Sequence, residues 1–318
     1  MKKVKYNYFL SLSLLVLIFG CGNTAQENKN ESAKNTDPLT EHIDSTENPA
    51  NDFFGFANGK WFKENPIPAS ESSNGIFLII QDSVNAAVKE ICEKSAQANA
   101  ATKGSNQQKI GDLFFSGMDT ATINQAGISV LKTDLDAIES VSDLKSLLKQ
   151  TAILHQKGVE VLFDFDIRQD EKISSKMIVG LTQGGLGLPE RDYYTNADLR
   201  TLEIRNAYLV HIEKMFVLSG VTLAEAKQSA TTILKIETAL ANVSRKMEAL
   251  RDPFKNYNKM TLPVLNKITP SLDWTEIMKD LGLAAVDSVN VGQPEFYKGL
   301  DVILKKTSVE DFKIYLKW

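Results

Sequence analysis

The run Asn51-Asp-Phe-Phe-Gly-Phe-Ala-Asn-Gly-Lys-Trp-Phe62 constrains this chain more than any other stretch. It gathers Phe53, Phe54, Phe56, Trp61 and Phe62 into one short segment, whereas Gly22 to Ala50 before it contains no aromatic residue. A segment so poor in apolar surface does not offset the entropy of ordering it. Folded protein is therefore expected to span 51–318, with 21–50 as a disordered tether. A flexible tether of about thirty residues spans on the order of 30 Å.

Residues Met1 to Gly20 carry the marks of a secretory signal. Lys2, Lys3 and Lys5 form a basic start, and the apolar core from Phe9 to Phe19 is too short for a stable membrane span. The core ends in Leu17-Ile-Phe-Gly-Cys21, which resembles the bacterial lipobox. That reading makes Cys21 the lipidation site and predicts an extracytoplasmic lipoprotein held to a bacterial membrane. The plainer alternative is an ordinary signal that happens to end near a cysteine. Removing the three signal lysines from 36 basic residues leaves 33 against 40 acidic ones, a net charge of −7 with histidines neutral. Such a balance argues against nucleic acid as a partner. Only Cys92 remains after lipidation, so no intrachain disulfide is available.

Helical periodicity dominates the body. Phe77 to Ala98 carries Ile80, Val84, Val88 and Ile91 at helical spacing. A capping Ser142 opens a helix that runs to His155, with Gly158 as its stop. Leu199 to Ser219 is closed by Gly220, and Thr222-Leu-Ala-Glu225 is a capping box for a helix reaching about Lys246. Shorter helices fit Asp273 to Leu281 and Glu295 to Lys306. Val159 to Ile167 and Lys176 to Thr182 instead read as two strands joined by a turn at Gln169-Asp-Glu-Lys. The expected fold is a mainly α, multi-helix lobe with one β-hairpin over about 159–182. The last segment, Ser308 to Trp318, is a capped helix that stops on an aromatic with no glycine or proline, so it reads as cut short.

Three ordered blocks carry a resemblance. The first is Asp52, Phe53, Phe56, Asn58, Gly59 and Trp61, followed by Ile67-Pro68 and by Gly75 and Phe77. The second is Gly187-Leu188-Pro189-Glu190-Arg191-Asp192-Tyr193-Tyr194. The third runs from Ile236-Glu237 through Arg251-Asp252-Pro253 to Tyr257-Asn258. In this order they resemble the N-terminal half of the neprilysin-like zinc metallopeptidases, the type that includes neprilysin, endothelin-converting enzyme and bacterial oligopeptidase O. The resemblance implies a helical lobe that caps a thermolysin-like zinc lobe, enclosing a cavity for oligopeptide substrates. It further implies that the zinc ligands lie beyond Trp318 and that the missing zinc lobe is this chain's partner. The blocks themselves are expected to be structural or to lie at the lobe interface. Asn58 stands where vertebrate members carry a cysteine. Ser73 and Gln81 stand where they carry arginines for the peptide carboxylate, so the resemblance does not by itself imply the vertebrate preference for releasing C-terminal dipeptides.

The chain by itself lacks the chemistry of that family. A catalytic zinc site needs two histidines one helical turn apart, a glutamate base beside the first and a third ligand downstream. The three histidines are His42, His155 and His211, and no two share a helical turn. Each is read as a surface or partly packed residue, so no zinc site and no catalytic residue are expected in these residues. Asn206-Ala-Tyr208 imitates the family's substrate-gripping tripeptide but falls inside a helical pattern, where its backbone is already paired. Gly184-Gly-Leu-Gly187 imitates a phosphate loop, yet Pro189 and the Tyr193-Tyr194 pair leave no room for the helix such a loop needs. It is read as a tight loop fixed by Arg191 and Asp192. Arg245, Arg251 and Asp252 form a charge cluster that is either a solvated helix end or a pin for the Tyr257-Asn258 turn. The alternative function, from a different class, is a helical surface lipoprotein that binds a nutrient without catalysis; the three ordered blocks favour the peptidase.

Overall fold

The computed structural model describes residues 37–98 and 101–318. The signal segment 1–20, the lipidation candidate Cys21 and residues 22–36 lie outside the described residues. The chain divides into two compact units, one ending at Met118 and one spanning Asp119–Trp318.

In the first unit, α1 (Phe53–Glu64) begins where the Asp52 carboxylate accepts a hydrogen bond from the Gly55 N–H at 2.8 Å. The expected tether is corrected at its C-terminal end. Pro38–Glu41 forms a 3-10 turn, the Asp44 N–H donates to the Phe56 carbonyl at 2.8 Å, and Lys63 pairs with the buried Asp44 carboxylate. Gly59 permits this approach, because a Cβ there would stand 3.0 Å from the Asp44 Cβ. Two further helices, α2 (Ile76–Ala96) and α3 (Asn106–Met118), pack on each other. The apolar periodicity of α2 is present, but it faces no core. Phe77 is 85% exposed, and Ile80, Val84, Val88 and Ile91 are each about half exposed.

The second unit holds the core. It opens with α4 (Thr120–Ala126), a 3-10 turn at Gly127–Leu131, α5 (Lys132–Glu139) and α6 (Leu144–Gln156). The cap of α6 is Asp143 rather than the expected Ser142: its carboxylate accepts from the Ser146 N–H, and the Ser146 hydroxyl accepts from the Asp143 N–H. The hairpin follows as β1 (Phe163–Gln169) and β2 (Met177–Gln183), antiparallel from Phe163 opposite Gln183 to Gln169 opposite Met177. Its first strand starts four residues later than the periodicity suggests. Then come α7 (Asp192–Thr195), α8 (Leu199–Leu218), α9 (Leu223–Val243) and α10 (Met247–Leu250). The chain ends with β3 (Lys259–Thr261), α11 (Leu262–Ile268), α12 (Trp274–Asp280), β4 (Ser288–Val291), α13 (Pro294–Lys306) and α14 (Val309–Lys317).

The hairpin is thus half of a four-stranded sheet, ordered β1-β2-β4-β3, with β4 parallel to β2 and antiparallel to β3. Sequence periodicity missed β3 and β4 because runs of three and four residues carry almost no alternation signal. Phe163, Trp274, Phe296, Tyr297 and Phe312 are at most 1% exposed, and each stabilises the fold by about 1.5–3 kcal/mol through apolar burial. A second cluster of Ile212, Phe216, Ala226, Ala230 and Ile233 welds α8 to α9. The last helix is packed against the rest of its unit. Phe312, Tyr315 and Leu316 are buried, and Trp318 stacks edge-on against Tyr208 and His211. Among the described residues no helix is long and apolar enough to cross a membrane.

Candidate functional site

The second and third sequence blocks meet at one buried carboxylate. Glu237 falls on the inward stripe of α9 with Ile233, Ile236 and Leu240, and only 1% of it is exposed. Its Oε1 accepts from the Tyr208 hydroxyl at 2.9 Å and from the Gly187 N–H at 3.2 Å, and its Oε2 accepts from the Tyr194 hydroxyl at 2.9 Å. Tyr194 in turn accepts from the Leu188 N–H at 2.7 Å, and Tyr208 accepts from the Trp318 indole N–H at 2.9 Å. Gly187 is obligatory here: a Cβ would stand 2.0 Å from the Tyr208 hydroxyl. A carboxylate with three donors and no cation is still costly to bury. Burial pushes the Glu237 carboxyl up to about 7, against the pull of its three donors. Burial, followed by the Glu237 charge, pushes both tyrosine hydroxyls up, so they remain donors.

The loop between β2 and α7 is held at two more points. The Tyr315 hydroxyl donates to the Gly185 carbonyl at 2.9 Å and accepts from the Leu162 N–H at 3.1 Å. Arg191 donates from Nη1 to the Ser244 carbonyl at the end of α9, at 2.9 Å. Asp192 stands 3.6 Å from Arg191 Nε, an ion pair too long to be a hydrogen bond. Under this loop lies a cavity of about 400 Å³, lined by residues 183–191 together with Glu160, Asp164, Ser244, Arg245, Met247 and Leu250. Burial, and then the charge of Glu160, push the Asp164 carboxyl up to about 7. Pro189 is exposed and Tyr193 half-buried.

The rest of the third block forms a second pinned turn. Arg245, rather than Arg251, is the pin: it donates to the Lys255 carbonyl and to Asn256, and pairs with Glu295. Arg251 is exposed, and Asp252 accepts from the Phe254 and Lys255 N–H groups. Tyr257 donates to the buried Asp170 at 2.9 Å, and Asn258 donates to the Val291 carbonyl at 3.0 Å. Lys259, foremost among several donors, holds the Asp170 carboxyl far below the usual range. The first block lies in the N-terminal unit. There Phe53 and Phe77 are exposed, Phe56, Asn58, Gly59, Trp61 and Gly75 are half-buried, and Pro68 is exposed. Its aromatic residues are therefore not a core.

These residues do not fit a zinc site. Among the described residues no three His, Cys, Asp or Glu side chains converge as metal ligands. His155 is buried with Nε2 3.1 Å from the Val161 carbonyl, and burial pushes its pKa down to about 4. His42 and His211 lie beside Trp61 and Trp318 respectively. The Asn206-Ala-Tyr208 tripeptide is inside α8, where Tyr208 serves Glu237. Sequence reading took Glu237 only as part of the third block and assigned no role to Asp164 or Tyr315. A glutamate on an otherwise apolar helical stripe was the available signal for the first.

Comparison with known proteins agrees with this architecture. Residues 49–318 match the profile of the N-terminal domain of Peptidase family M13. Neprilysin-3 of Drosophila melanogaster is 30% identical over 301 residues, covering 88% of this chain and 38% of that protein. Human endothelin-converting enzyme-like 1 is 27% identical over 297 residues, covering 88% and 38%. The inhibitor complex of the Mycobacterium tuberculosis zinc metalloprotease ZMP1 superposes with a TM-score of 0.79 at 31% identity, over 87% of this chain and 42% of that one. PepO from Lactobacillus rhamnosis shares the fold, with a TM-score of 0.67 at 14% identity. The chain thus spans about two fifths of the length of these relatives.

Proposed function

The chain belongs to Peptidase family M13, the neprilysin-like zinc metallopeptidases, and on that footing we propose that it is the substrate-enclosing lobe of an extracytoplasmic zinc metalloendopeptidase acting on oligopeptides. The observation that carries this reading is the match over residues 49–318, whose second and third blocks converge on Glu237. The partner is a thermolysin-like lobe that supplies zinc, its ligands and the glutamate base. The sequence contains no His-Glu-x-x-His, and on this reading the 318 residues do not cleave peptides by themselves. Enclosure between two lobes restricts the substrate to flexible peptides.

The coding sequence past the Trp318 codon tests the reading. An in-frame His-Glu-x-x-His supports it, and so does chelator-sensitive peptide cleavage that appears only when that segment is supplied. A coding region with no such segment, or chelator-sensitive cleavage by the 318-residue chain alone, overturns it.

The same proposal places the lobe on a membrane through Cys21, because Leu17-Ile-Phe-Gly-Cys21 has the small residue and cysteine that lipidation requires. Cys21→Ser should move the protein from the detergent phase to the soluble fraction. Wild-type protein that takes up no labelled fatty acid contradicts the anchor.

A further inference from the structure

The cavity under the β2–α7 loop contains an unmatched pair of polar groups. Asp164 and Arg191 both line it, and among the described residues Asp164 Oδ1, Arg191 Nε and the neighbouring Asp192 Oδ1 are each buried with no hydrogen-bond partner. Asp164 has an internal control in Asp166. Both stand on one face of β1, and each occupies the space that a side chain on a facing glycine would fill: a Cβ on Gly184, just past the end of β2, would lie 2.2 Å from Asp164 Oδ1, and one on Gly180 within β2 would lie 2.3 Å from Asp166 Oδ1. Asp166 is neutralised by Arg168 Nη1, at 2.7 and 2.9 Å. Among the described residues Asp164 pairs with no such cation. The two arginines lining the cavity are engaged elsewhere, Arg191 with Ser244 and Asp192, and Arg245 with Asn256 and Glu295. Glu160 and Glu190 also line the cavity, and neither joins an ion pair among the described residues.

The complement of this surface is a cation that carries a neutral acceptor. A metal ion does not suit it, because no three carboxylates converge. The Arg191 charge is already balanced by Asp192, whose unpartnered Oδ1 stands 3.6 Å from Nε, so a further acceptor on the guanidinium is a neutral carbonyl rather than a second carboxylate. An ammonium beside a carbonyl is the chemistry of the first residue of a peptide. The volume of about 400 Å³ is within the range of pockets for small ligands, roughly 300–1,000 Å³. We propose that this cavity binds the free N-terminus of a peptide, its ammonium on Asp164 and its first carbonyl on the Arg191 guanidinium. This rests on the peptide-processing reading above and names a recognition element for it.

Binding has a defined pH profile. Asp164 ionises near 7, with Glu160 disfavouring its charge and Tyr297 and Tyr315 feeling it from α13 and α14. The ammonium is lost above about 8. Affinity should therefore peak between these values and fall on either side.

Calorimetric titration of the full chain tests the proposal with three probes: trialanine amide, its N-acetylated form, and N-acetyl-Lys-Ala-Ala amide. The free-amine peptide should bind at least about tenfold more tightly than either acetylated one, the range of a charged hydrogen bond. Asp164→Asn should abolish that preference. Glu160→Gln, at an exposed position, removes a charge that disfavours ionised Asp164, so it should keep the fold and extend the preference to lower pH, which decides the matter if the first variant does not fold. Equal binding of the acetylated peptide, preferred binding of the lysine probe, a preference that survives Asp164→Asn, a preference whose pH range Glu160→Gln leaves unchanged, or no binding at about 10 mM overturns the proposal. The readout is binding to this chain, so it is independent of the downstream-segment test: either can fail while the other stands.

Discussion

At the scale of single residues, Glu237 is the position where sequence and physics conflict most. A glutamate on the inward stripe of α9 places a charge among apolar neighbours, and its three donors relieve only part of the penalty. The pH consequence has a definite sign. The folded carboxyl titrates near 7 and the ordinary one near 4.5, so the folded state binds the proton more tightly. The contribution of this group is fully present below about 4.5 and is lost as pH rises through 7. A shift of this size corresponds to at most about 3 kcal/mol. Glu237→Gln should remove that slope. Chemical denaturation at pH 5 and pH 8 should show wild type losing more stability than the variant, and parallel losses would refute the assignment. Gly187 offers a second measurement. A methyl there collides with the Tyr208 hydroxyl, and Gly187→Ala should cost on the order of 1–3 kcal/mol. Pro189→Ala, two residues on and exposed, should stay within about 0.5 kcal/mol. Thermal melting separates the two, and similar melting temperatures would count against the close approach.

At the scale of elements, most helices were legible because their caps and apolar periods are local. The Thr222–Glu225 capping box forms where the sequence places it, and the hairpin forms with its first strand shifted by four residues. The sheet beyond the hairpin was not legible, since β3 and β4 are fixed by pairing across long sequence separations, such as Val179 with Val289. The candidate site was half legible for the same reason. Gly187 to Tyr194 and Ile236-Glu237 were singled out as blocks, but nothing local says that they share a carboxylate. The role of α14 was the least legible, because it depends on two tertiary contacts. Tyr315 bridges the Leu162 N–H and the Gly185 carbonyl, two backbone groups from different segments. Tyr315→Phe keeps the ring and leaves both groups unpaired in a buried setting, which should cost about 1–3 kcal/mol. Amide hydrogen exchange at Leu162 should accelerate in the same variant. Unchanged protection there would show that the loop is held by other contacts.

At the scale of the whole molecule, the two units are unequal in the way their apolar surface is used. The second unit buries every large core side chain among the described residues, from Ile138 to Leu316. The first unit buries none, although α2 carries a full helical stripe of Phe77, Ile80, Val84, Val88 and Ile91. Exposed apolar surface beyond a few hundred Å² marks a partner surface or an aggregation liability. Elements with few buried contacts also open locally at low free energy. Mild proteolysis should therefore cut first within residues 65–118 and leave a resistant fragment starting near Asp119. The fragment should keep its C-terminus, because Phe312, Tyr315 and Leu316 are buried and Trp318 is hydrogen-bonded to Tyr208. A hydrophobic dye should bind the 318-residue chain and bind the resistant fragment much less. Supplying the zinc lobe in trans should suppress both the early cleavage and the dye signal if that lobe covers the α2 stripe. First cuts at the Trp318 end, or a chain that resists protease as one cooperative block and binds no dye, would show that the stripe on α2 needs no partner.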